Sequence, residues 1–394
     1  MNFILFDDAS RNNLLPLVFT RPVADIRVGI LTIREKWEKL LNAKTFSLTE
    51  EYLSEKFPLE IKDNNILINS SIIPDKILVE EVKQLKPNQI LKYSDYVIAY
   101  HITGDDFNSI NEETQAVFEE IESKAKPVKL NYTWEIFTIN ASEIEKDFRL
   151  ITENRKSAEI SDTNRIIGKE NVFVEEGAKI ECAIINATEG PVYIAKDAEI
   201  MEGSVIRGPF ALGEHSVVKM SAKIYGATTV GPYSKVGGEL NNVVIIGYSN
   251  KAHDGFLGNS VIGEWCNLGA DTNTSNLKNT YEEVKLWNYP LETFLSTGLQ
   301  FCGLIMGDHS KCGINTMFNT GTVVGVNANI FGAGFQRNFI PSFSWGAVSG
   351  TTYDLKRAIK VAKTMYNRRN MQFEEIEQNI LTHVFNLTHK NRML

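Results

Sequence analysis

The side chain best suited to acid–base chemistry in this sequence is that of His253. It lies in the polar stretch from Ser249 to Asn259, which interrupts an otherwise regular repeat. Imidazole titrates close to neutral pH and can take a proton from a reacting group, which is what a general base does. Because a loop that breaks a repeat projects towards solvent, we predict that His253 is a catalytic general base; the alternative is an ordinary surface histidine.

Three polar residues near this stretch are candidates for binding a substrate. The charge of Lys251 can attract a phosphate group or simply remain solvated. The amides of Asn267 and Asn276 can hydrogen-bond hydroxyl groups, but asparagine is also common at turns because it tolerates left-handed backbone geometry. Both interpretations of each residue remain open from the residues alone.

A six-residue repeat must position these side chains. Aliphatic residues recur at eight consecutive positions spaced by six, namely Ile194, Ile200, Ile206, Leu212, Val218, Ile224, Val230 and Val236. An even period returns each side chain to the same face of a strand, whereas a helix would spread it around its axis. Short strands of this kind stack into a solenoid with an aliphatic core. Residues 172–332 are therefore predicted to form a parallel β-helix.

The repeat is interrupted twice, and these interruptions are the predicted places for chemistry. The spacing slips between Val236 and Ile262 and is lost between Thr274 and Phe301. A rigid scaffold commonly carries its function on the loops that interrupt it.

The sequence patterns on either side of the repeat indicate further domains. Residues 1–150 alternate strand and helix patterns, which indicates a small α/β domain. Residues 151–171 are predicted to be a linker, residues 172–351 the β-helix domain and residues 352–394 two helices. We expect these helices to cover the open end of the β-helix, where strand edges would otherwise be exposed.

The composition argues against several classes of protein. The 394 residues carry a formal net charge of −8, and no basic stripe stands out, so we expect no nucleic-acid partner. The first residues have no basic segment before an apolar one, and no apolar run approaches the length of a membrane span. We therefore expect a cytoplasmic protein without a membrane partner.

The hexapeptide repeats resemble the left-handed β-helix of acyl-CoA-dependent acyltransferases. The stretch around His253 is similar to the active site of the bacterial bifunctional family that makes UDP-N-acetylglucosamine. The resemblance implies acetyl-CoA as a co-substrate, an amino-sugar phosphate as the acceptor, His253 as the general base of acetyl transfer, and a homotrimer. It also places Asn267 at a sugar contact and Asn276 near the acetyl-CoA and sugar sites.

Some positions depart from the pattern of that family. Phe256 and Leu277 stand where the family has tyrosines. Lys235 is the one basic residue where the family has two arginines for the sugar phosphate, so Lys235 is a candidate for binding that phosphate. The identity of the sugar stays open.

Residues 14–22 resemble a segment near the start of sugar-phosphate nucleotidyltransferases. The glycine-rich loop of that family, whose backbone N–H groups approach triphosphate oxygens, is replaced by a stretch without glycine. By analogy with nucleotidyl transfer, Arg11 and Arg21 are candidates for contacts with a nucleoside triphosphate, and Asp7 and Asp8 for magnesium. The alternative is that all four are surface and turn residues.

Three other interpretations of the function remain open. One is uridylyl or thymidylyl transfer alone. Another is a non-catalytic regulatory or assembly subunit, which the missing glycine loop favours and the Lys-Ala-His sequence opposes. A zinc-dependent carbonic anhydrase also uses a left-handed β-helix, but zinc needs closely placed imidazoles, and His215, His253 and His309 lie far apart in sequence.

Overall fold

The computed structural model describes residues 1–104, 107, 118–346 and 351–393, and the chain divides into two compact units. Unit 1 contains Met1–Leu14, Arg21–Ile26 and Leu31–Tyr132. Unit 2 contains Leu15–Thr20, Arg27–Ile30 and Thr133–Leu394. Two short N-terminal segments thus belong to unit 2, and the units divide after residue 132, where the sequence pattern placed the boundary near 150.

Unit 1 has the predicted α/β architecture. Its elements are β1 (Asn2–Phe6), α1 (Ile33–Leu41), β2 (Thr45–Leu48), β3 (Asn64–Asn69), β4 (Ile72–Ile73), α2 (Lys76–Gln84), β5 (Gln89–Tyr93), β6 (Tyr96–Thr103), β7 (Glu119–Glu122) and β8 (Val128–Lys129). A mixed sheet runs in the order β2-β1-β3-β6-β5-β7, with β1 parallel to β2 and β3. Helix α1 begins at a capping box in which Thr32 and Glu35 satisfy the first N–H groups.

Unit 2 is a parallel β-helix with three faces, preceded by the helices α3 (Glu135–Thr138) and α4 (Asn140–Thr152). Face 1 consists of β9 (Arg165–Ile167), β12 (Ile184–Asn186), β15 (Val205–Arg207), β18 (Lys223–Tyr225), the first halves of β21 (Glu239–Gly247) and β23 (Phe256–Glu264), β25 (Asn273–Thr274) and β30 (Met317–Phe318). Face 2 consists of β10 (Val172–Val174), β13 (Val192–Ile194), β16 (Phe210–Leu212), β19 (Thr228–Val230), the second halves of β21 and β23, β28 (Leu304–Met306), β31 (Thr322–Val324) and β33 (Phe339–Ile340).

Face 3 consists of two-residue strands. They are β11 (Lys179–Ile180), β14 (Glu199–Ile200), β17 (Val217–Val218), β20 (Lys235–Val236), β22 (Asn250–Lys251), β24 (Asn267–Leu268), β29 (Lys311–Cys312), β32 (Asn329–Ile330) and β34 (Ser344–Trp345). The second residue of each strand from β11 to β32 points into the coil, so face 3 contributes one inward side chain per turn.

The predicted aliphatic column is the core of unit 2. Ile194 pairs with Leu212, which pairs with Val230, and Ile206 pairs with Ile224; all of these side chains are at most 1% exposed. Apolar burial of this kind contributes roughly 1.5–3 kcal/mol per large side chain. The left-handed parallel β-helix predicted from the repeat and the resemblance is confirmed.

The two interruptions have different structural causes. In β21 and β23 the strand continues round the corner between faces 1 and 2, with Asn242 and Asn259 in left-handed conformation at φ 56° and 46°. These coils are shorter: Leu240 pairs with Leu257, 17 residues later, whereas Ile206 pairs with Ile224 at 18. The second interruption contains an antiparallel hairpin, β26 (Lys285–Asn288) and β27 (Thr293–Ser296), inserted between β25 and β28.

The C-terminal segment returns along the β-helix. β35 (Thr351–Thr352) pairs antiparallel with β34, and α5 (Leu355–Asn367) and α6 (Glu375–Leu387) follow. The ring of Phe385 in α6 contacts Phe343 at 5.0 Å near the last coils, which agrees with the predicted cover of the open end. Tyr366 in α5 also stacks on Trp265 at 4.0 Å, so the tail covers a side of the β-helix as well.

No helix within the described ranges is long and apolar enough to cross a membrane.

Candidate active site

His253 lies at the corner where the chain leaves face 3 and enters face 1. It follows β22, precedes β23 and occupies a bend at residues 253–255. The side chain is exposed, and the structure gives its ring no hydrogen bond to any described residue. The sequence placed His253 in an exposed loop, and the structure places it there with an imidazole that is available to a ligand.

Lys251 lies inside the coil, two residues before the histidine. It is 2% exposed and occupies the inward position of β22, between Val236 and the strand of Leu268. Its Nζ donates hydrogen bonds to the carbonyl oxygens of His253 and Asp254, at 2.5 and 3.2 Å. Burial lowers the pKa of Lys251 to about 8. The sequence suggested a surface charge, and the structure shows a buried one.

Asn276 is brought next to the strand that follows His253. Its Nδ2 donates to Oδ1 of Asn259 at 2.8 Å, one coil below. A Cβ on Gly258 would lie 2.5 Å from the ring of Phe256 and 2.6 Å from Nδ2 of Asn276, so any larger residue would force one of these side chains to shift. Phe256, Gly258 and Asn276 therefore form a compact surface on face 1. A single sequence does not show that the residue at position 258 must be small for Phe256 and Asn276 to approach each other.

Lys235 and Asn267 lie on the outer side of face 3. In the ladder of that face, Lys235 pairs with Asn250, which pairs with Asn267. Lys235 is exposed and Asn267 is half-buried. The corner that carries His253 is thus flanked by polar residues of face 3 and by Phe256 of face 1.

A groove of about 770 Å³ begins beside Asn276. It lies between face 1 and the inserted hairpin, and its lining includes Leu277, Lys278, Lys285 and Phe294. Nζ of Lys278 donates to the carbonyl of Glu283 at 2.9 Å, whereas Lys285 is exposed. The lost repeat predicted that this segment is functional but gave no indication of a hairpin or of these lysines.

The carboxylates predicted for magnesium in unit 1 are fully engaged by protein donors. Oδ1 of Asp7 accepts from the N–H of Val23 and the hydroxyl of Ser70, and Oδ2 accepts from Arg11 and Thr49. The ion pair between Asp7 and Arg11 spans 2.9 Å, and both side chains are buried.

Asp8 is engaged in the same way. Oδ1 accepts from the N–H and hydroxyl of Ser10, and Oδ2 accepts from Asn69 and from Lys129 at 2.8 Å. Burial raises the pKa of Asp8, but the hydrogen bonds from Lys129, Ser10 and Asn69 outweigh it and leave the pKa below its ordinary value. Magnesium prefers accessible carboxylate oxygens and water, so binding it at Asp7 or Asp8 would require these protein donors to be displaced.

The two predicted phosphate-binding arginines are buried. Arg11 and Arg21 are each 5% exposed, and Nη1 of Arg11 donates to the carbonyl oxygen of Arg21 at 3.1 Å. The segment before Arg21 is part of unit 2, where the ring of Phe19 contacts Tyr289 at 5.4 Å. The resemblance in residues 14–22 therefore falls on a segment that is divided between the units.

The histidines considered for zinc occupy different environments. The ring of His215 contacts Tyr233 at 4.8 Å in a tilted arrangement, and buried His309 is parallel to Trp265 at 6.2 Å, so both belong to aromatic rows at corners of the β-helix. Within the ranges that the structure describes, no three His, Cys, Asp or Glu side chains are grouped so as to hold a metal ion.

Comparison with known proteins finds similarities in both parts of the chain. Residues 3–156 match the family model described as sugar nucleotidyl transferase. The β-helix of unit 2 carries the repeats that resemble acyltransferases. Some curated relatives are named as both a nucleotidylyltransferase and an acetyltransferase.

Among these relatives is the bifunctional sugar-1-phosphate nucleotidylyltransferase/acetyltransferase of Sulfurisphaera tokodaii, 30% identical over 191 residues, which are 48% of this chain and 44% of the relative. The bifunctional protein GlmU of Methanococcus aeolicus is 30% identical over 218 residues, or 55% of this chain and 47% of the relative. The putative uncharacterized acetyltransferase YaiX of Escherichia coli K12 is 28% identical over 149 residues, 37% of this chain and 64% of the relative. The matches span less than half of both bifunctional relatives, and they confirm the resemblance stated from the sequence.

Proposed function

We propose that this protein is a transferase whose β-helix moves an acetyl group from acetyl-CoA to the amine of an amino-sugar phosphate. The observation that carries the proposal is the environment of His253, an exposed imidazole at a β-helix corner, flanked by amides on one side and by the Phe256 and Asn276 surface on the other. The names of the bifunctional relatives support it.

In this reaction the amine nitrogen attacks the thioester carbonyl carbon. A nitrogen–carbon bond forms, the carbon–sulfur bond breaks, and CoA leaves as a thiolate. The imidazole of His253 takes the proton that the nitrogen loses and returns it to the leaving sulfur. Such a base contributes roughly 10²–10⁴-fold to a rate.

The side chains around the corner have distinct roles in the proposal. Asn267 and Asn276 hydrogen-bond the sugar and the acetyl donor, and Lys235 attracts the sugar phosphate from the exposed edge of face 3. The groove beside Asn276 holds acetyl-CoA, with exposed Lys285 attracting its phosphates and Phe294 offering an apolar surface.

Nucleotidyl transfer by unit 1 is the second candidate activity. The match of residues 3–156 to the sugar nucleotidyl transferase family favours it. In this case unit 1 binds a nucleoside triphosphate and a sugar 1-phosphate. Arg11 and Arg21 then support the fold around the nucleotide.

A homotrimer in the cytoplasm completes the proposal. Near the last strand of face 1, four apolar side chains have exposed fractions from 37% to 72%, namely Ile314, Met317, Phe331 and Phe335. Met317 and Phe335 are paired neighbours on that face. Contiguous exposed apolar side chains commonly mark an interface, and a second and third copy of this chain are the proposed occupants. Light scattering should give three times the chain mass, and Phe335→Glu should lower it.

A panel assay tests the proposed activities. The purified chain is incubated with acetyl-CoA and each of several amino-sugar 1-phosphates, and thiol release is recorded. Parallel samples receive a nucleoside triphosphate and acetylated sugar 1-phosphates, and pyrophosphate release is recorded. We expect thiol release with at least one amino sugar. Thiol release with none of them would contradict acetyl transfer, and pyrophosphate release alone would support the second candidate.

A further inference from the structure

A lysine occupies a position that apolar side chains otherwise fill. The inward residues of face 3 are, in coil order, Ile180, Ile200, Val218, Val236, Lys251, Leu268, Cys312 and Ile330. The one charged member lies in the coil that leads directly into the bend of His253. Burying an ammonium group is unfavourable unless it is well hydrogen-bonded, so a lysine at this position needs hydrogen-bond acceptors inside the coil.

The lysine is bonded to the bend itself. Its Nζ contacts two consecutive carbonyl oxygens, those of His253 and Asp254. The carbonyl of Asp254 also accepts from the N–H of Asp271 in the next coil at 3.1 Å, and the N–H of Phe256 donates to Oδ1 of Asn273 at 2.8 Å. The bend is therefore fixed from the inside by an ammonium group and from the neighbouring coil by backbone and amide bonds.

We propose that Lys251 is a positioning residue, whose buried ammonium group holds the carbonyl groups of the bend so that the imidazole of His253 keeps one orientation towards the substrate. The inference rests on the proposed role of His253 in acetyl transfer. Holding the carbonyl groups of His253 and Asp254 inward fixes the backbone that directly follows the Cα of His253. The imidazole itself makes no hydrogen bond to Lys251 and stays available to substrate.

The test compares Lys251→Met with Leu268→Met, the adjacent inward position of the same column. Methionine matches lysine in length and suits an apolar core, so we expect Lys251→Met to keep or raise the resistance to unfolding. We expect hydrogen exchange of the peptide covering residues 252–257 to accelerate about tenfold or more, because the bend loses its inner bonds. We expect kcat to fall about 10- to 100-fold with KM little changed, because a base displaced by about 1 Å loses efficiency of that order.

The outcomes separate this proposal from the proposed function. If wild-type protein transfers no acetyl group, the proposed function fails, and the exchange rate of residues 252–257 still decides whether Lys251 holds the bend. Lys251→Met with unchanged exchange and unchanged kcat would overturn the positioning role. Lys251→Met that unfolds more easily than Leu268→Met would also overturn it, since Lys251 would then act as an ordinary support of the core.

Discussion

The corner of His253 and the end of β1 in unit 1 use polar residues in opposite ways. At the β1 end, each oxygen of Asp7 and Asp8 accepts two hydrogen bonds, and the guanidinium of Arg11 is buried against Asp7. At the β-helix corner, the imidazole of His253 is exposed and without a hydrogen bond to a described residue. The first arrangement supports a fold, whereas the second leaves chemistry available to a ligand.

A charged residue near a family motif is not by itself evidence of a site. The resemblance drew attention to Asp7, Asp8 and Arg11 because of their place in the sequence, but burial and hydrogen bonding decide what they can do. We therefore expect that removing a paired polar group in unit 1 lowers the free energy of unfolding. Removing the unpaired imidazole at the corner should instead lower the rate of acetyl transfer.

Breaking the ion pair in unit 1 should have the largest effect on folding. Arg11→Met leaves the carboxylate of Asp7 buried without its cation, so we expect a loss of about 3–5 kcal/mol in the free energy of unfolding of unit 1. Lys62→Met, which removes an exposed pair with Glu60, should cost about 0–1 kcal/mol. The two variants are compared by chemical denaturation, with hydrogen exchange of the peptides that contain β1 and β3 as the measure of unfolding in unit 1. If both variants lose only about 0–1 kcal/mol, the hydrogen bonds at the end of β1 do not stabilise unit 1.

The stability of the corner should depend on pH, because Lys251 is a buried group whose ammonium is hydrogen-bonded there. Burial lowers its pKa from the ordinary 10.5 to about 8, against the opposing influence of Asp254, Cys312 and Asp271. Between pH 8 and 10.5 the unfolded chain therefore binds more protons at this residue than the folded chain does, and its contribution to stability rises with pH. Below pH 8 the full penalty applies, because both states are protonated.

The stability of Lys251→Met relative to wild type should accordingly fall by up to about 3 kcal/mol from pH 7 to pH 10.5. Denaturant midpoints of the two proteins at several pH values give this difference directly. A constant difference across the range would show that the amine of Lys251 does not titrate with a lowered pKa.

A smaller loss of stability than in Arg11→Met is expected at the close approach of Gly258 to its neighbours. A methyl group there meets the ring of Phe256 and Nδ2 of Asn276, so Gly258→Ala should cost about 1–3 kcal/mol and displace Asn276. Acetyl transfer should fall with it. Gly313→Ala, where the nearest atom lies 3.7 Å from the added carbon, is the matched control and should leave both quantities unchanged. Full activity in Gly258→Ala would contradict the proposed role of Asn276 in substrate binding.

The sequence predicted the parts of the fold that follow from periodicity. Ile206 and Ile224 lie in the core because a period of six returns each side chain to the inside of a strand. It did not predict the continuous corners of β21 and β23, since Asn242 and Asn259 adopt left-handed conformation without the glycine that usually marks one. Nor did it predict that Lys251 points inward, because a lysine in a polar stretch is far more often solvated.

The sequence likewise did not predict where the chain divides into two units. Leu15–Thr20 belongs to unit 2 although it lies within the first 20 residues, and such long-range association leaves no local pattern. For the candidate site, the exposed position of His253 followed from the break in the repeat, whereas the engagement of Asp7 by Ser70 and Thr49 depends on residues far away in the chain.

Chemical rescue of a His253 variant tests the central role of the corner most directly. We expect His253→Ala to lower acetyl transfer roughly 10²–10⁴-fold, to leave the unfolding transition unchanged, and to regain part of its rate when imidazole is added, whereas His389→Ala should behave as wild type. Undiminished transfer by His253→Ala would contradict the assignment of the general base.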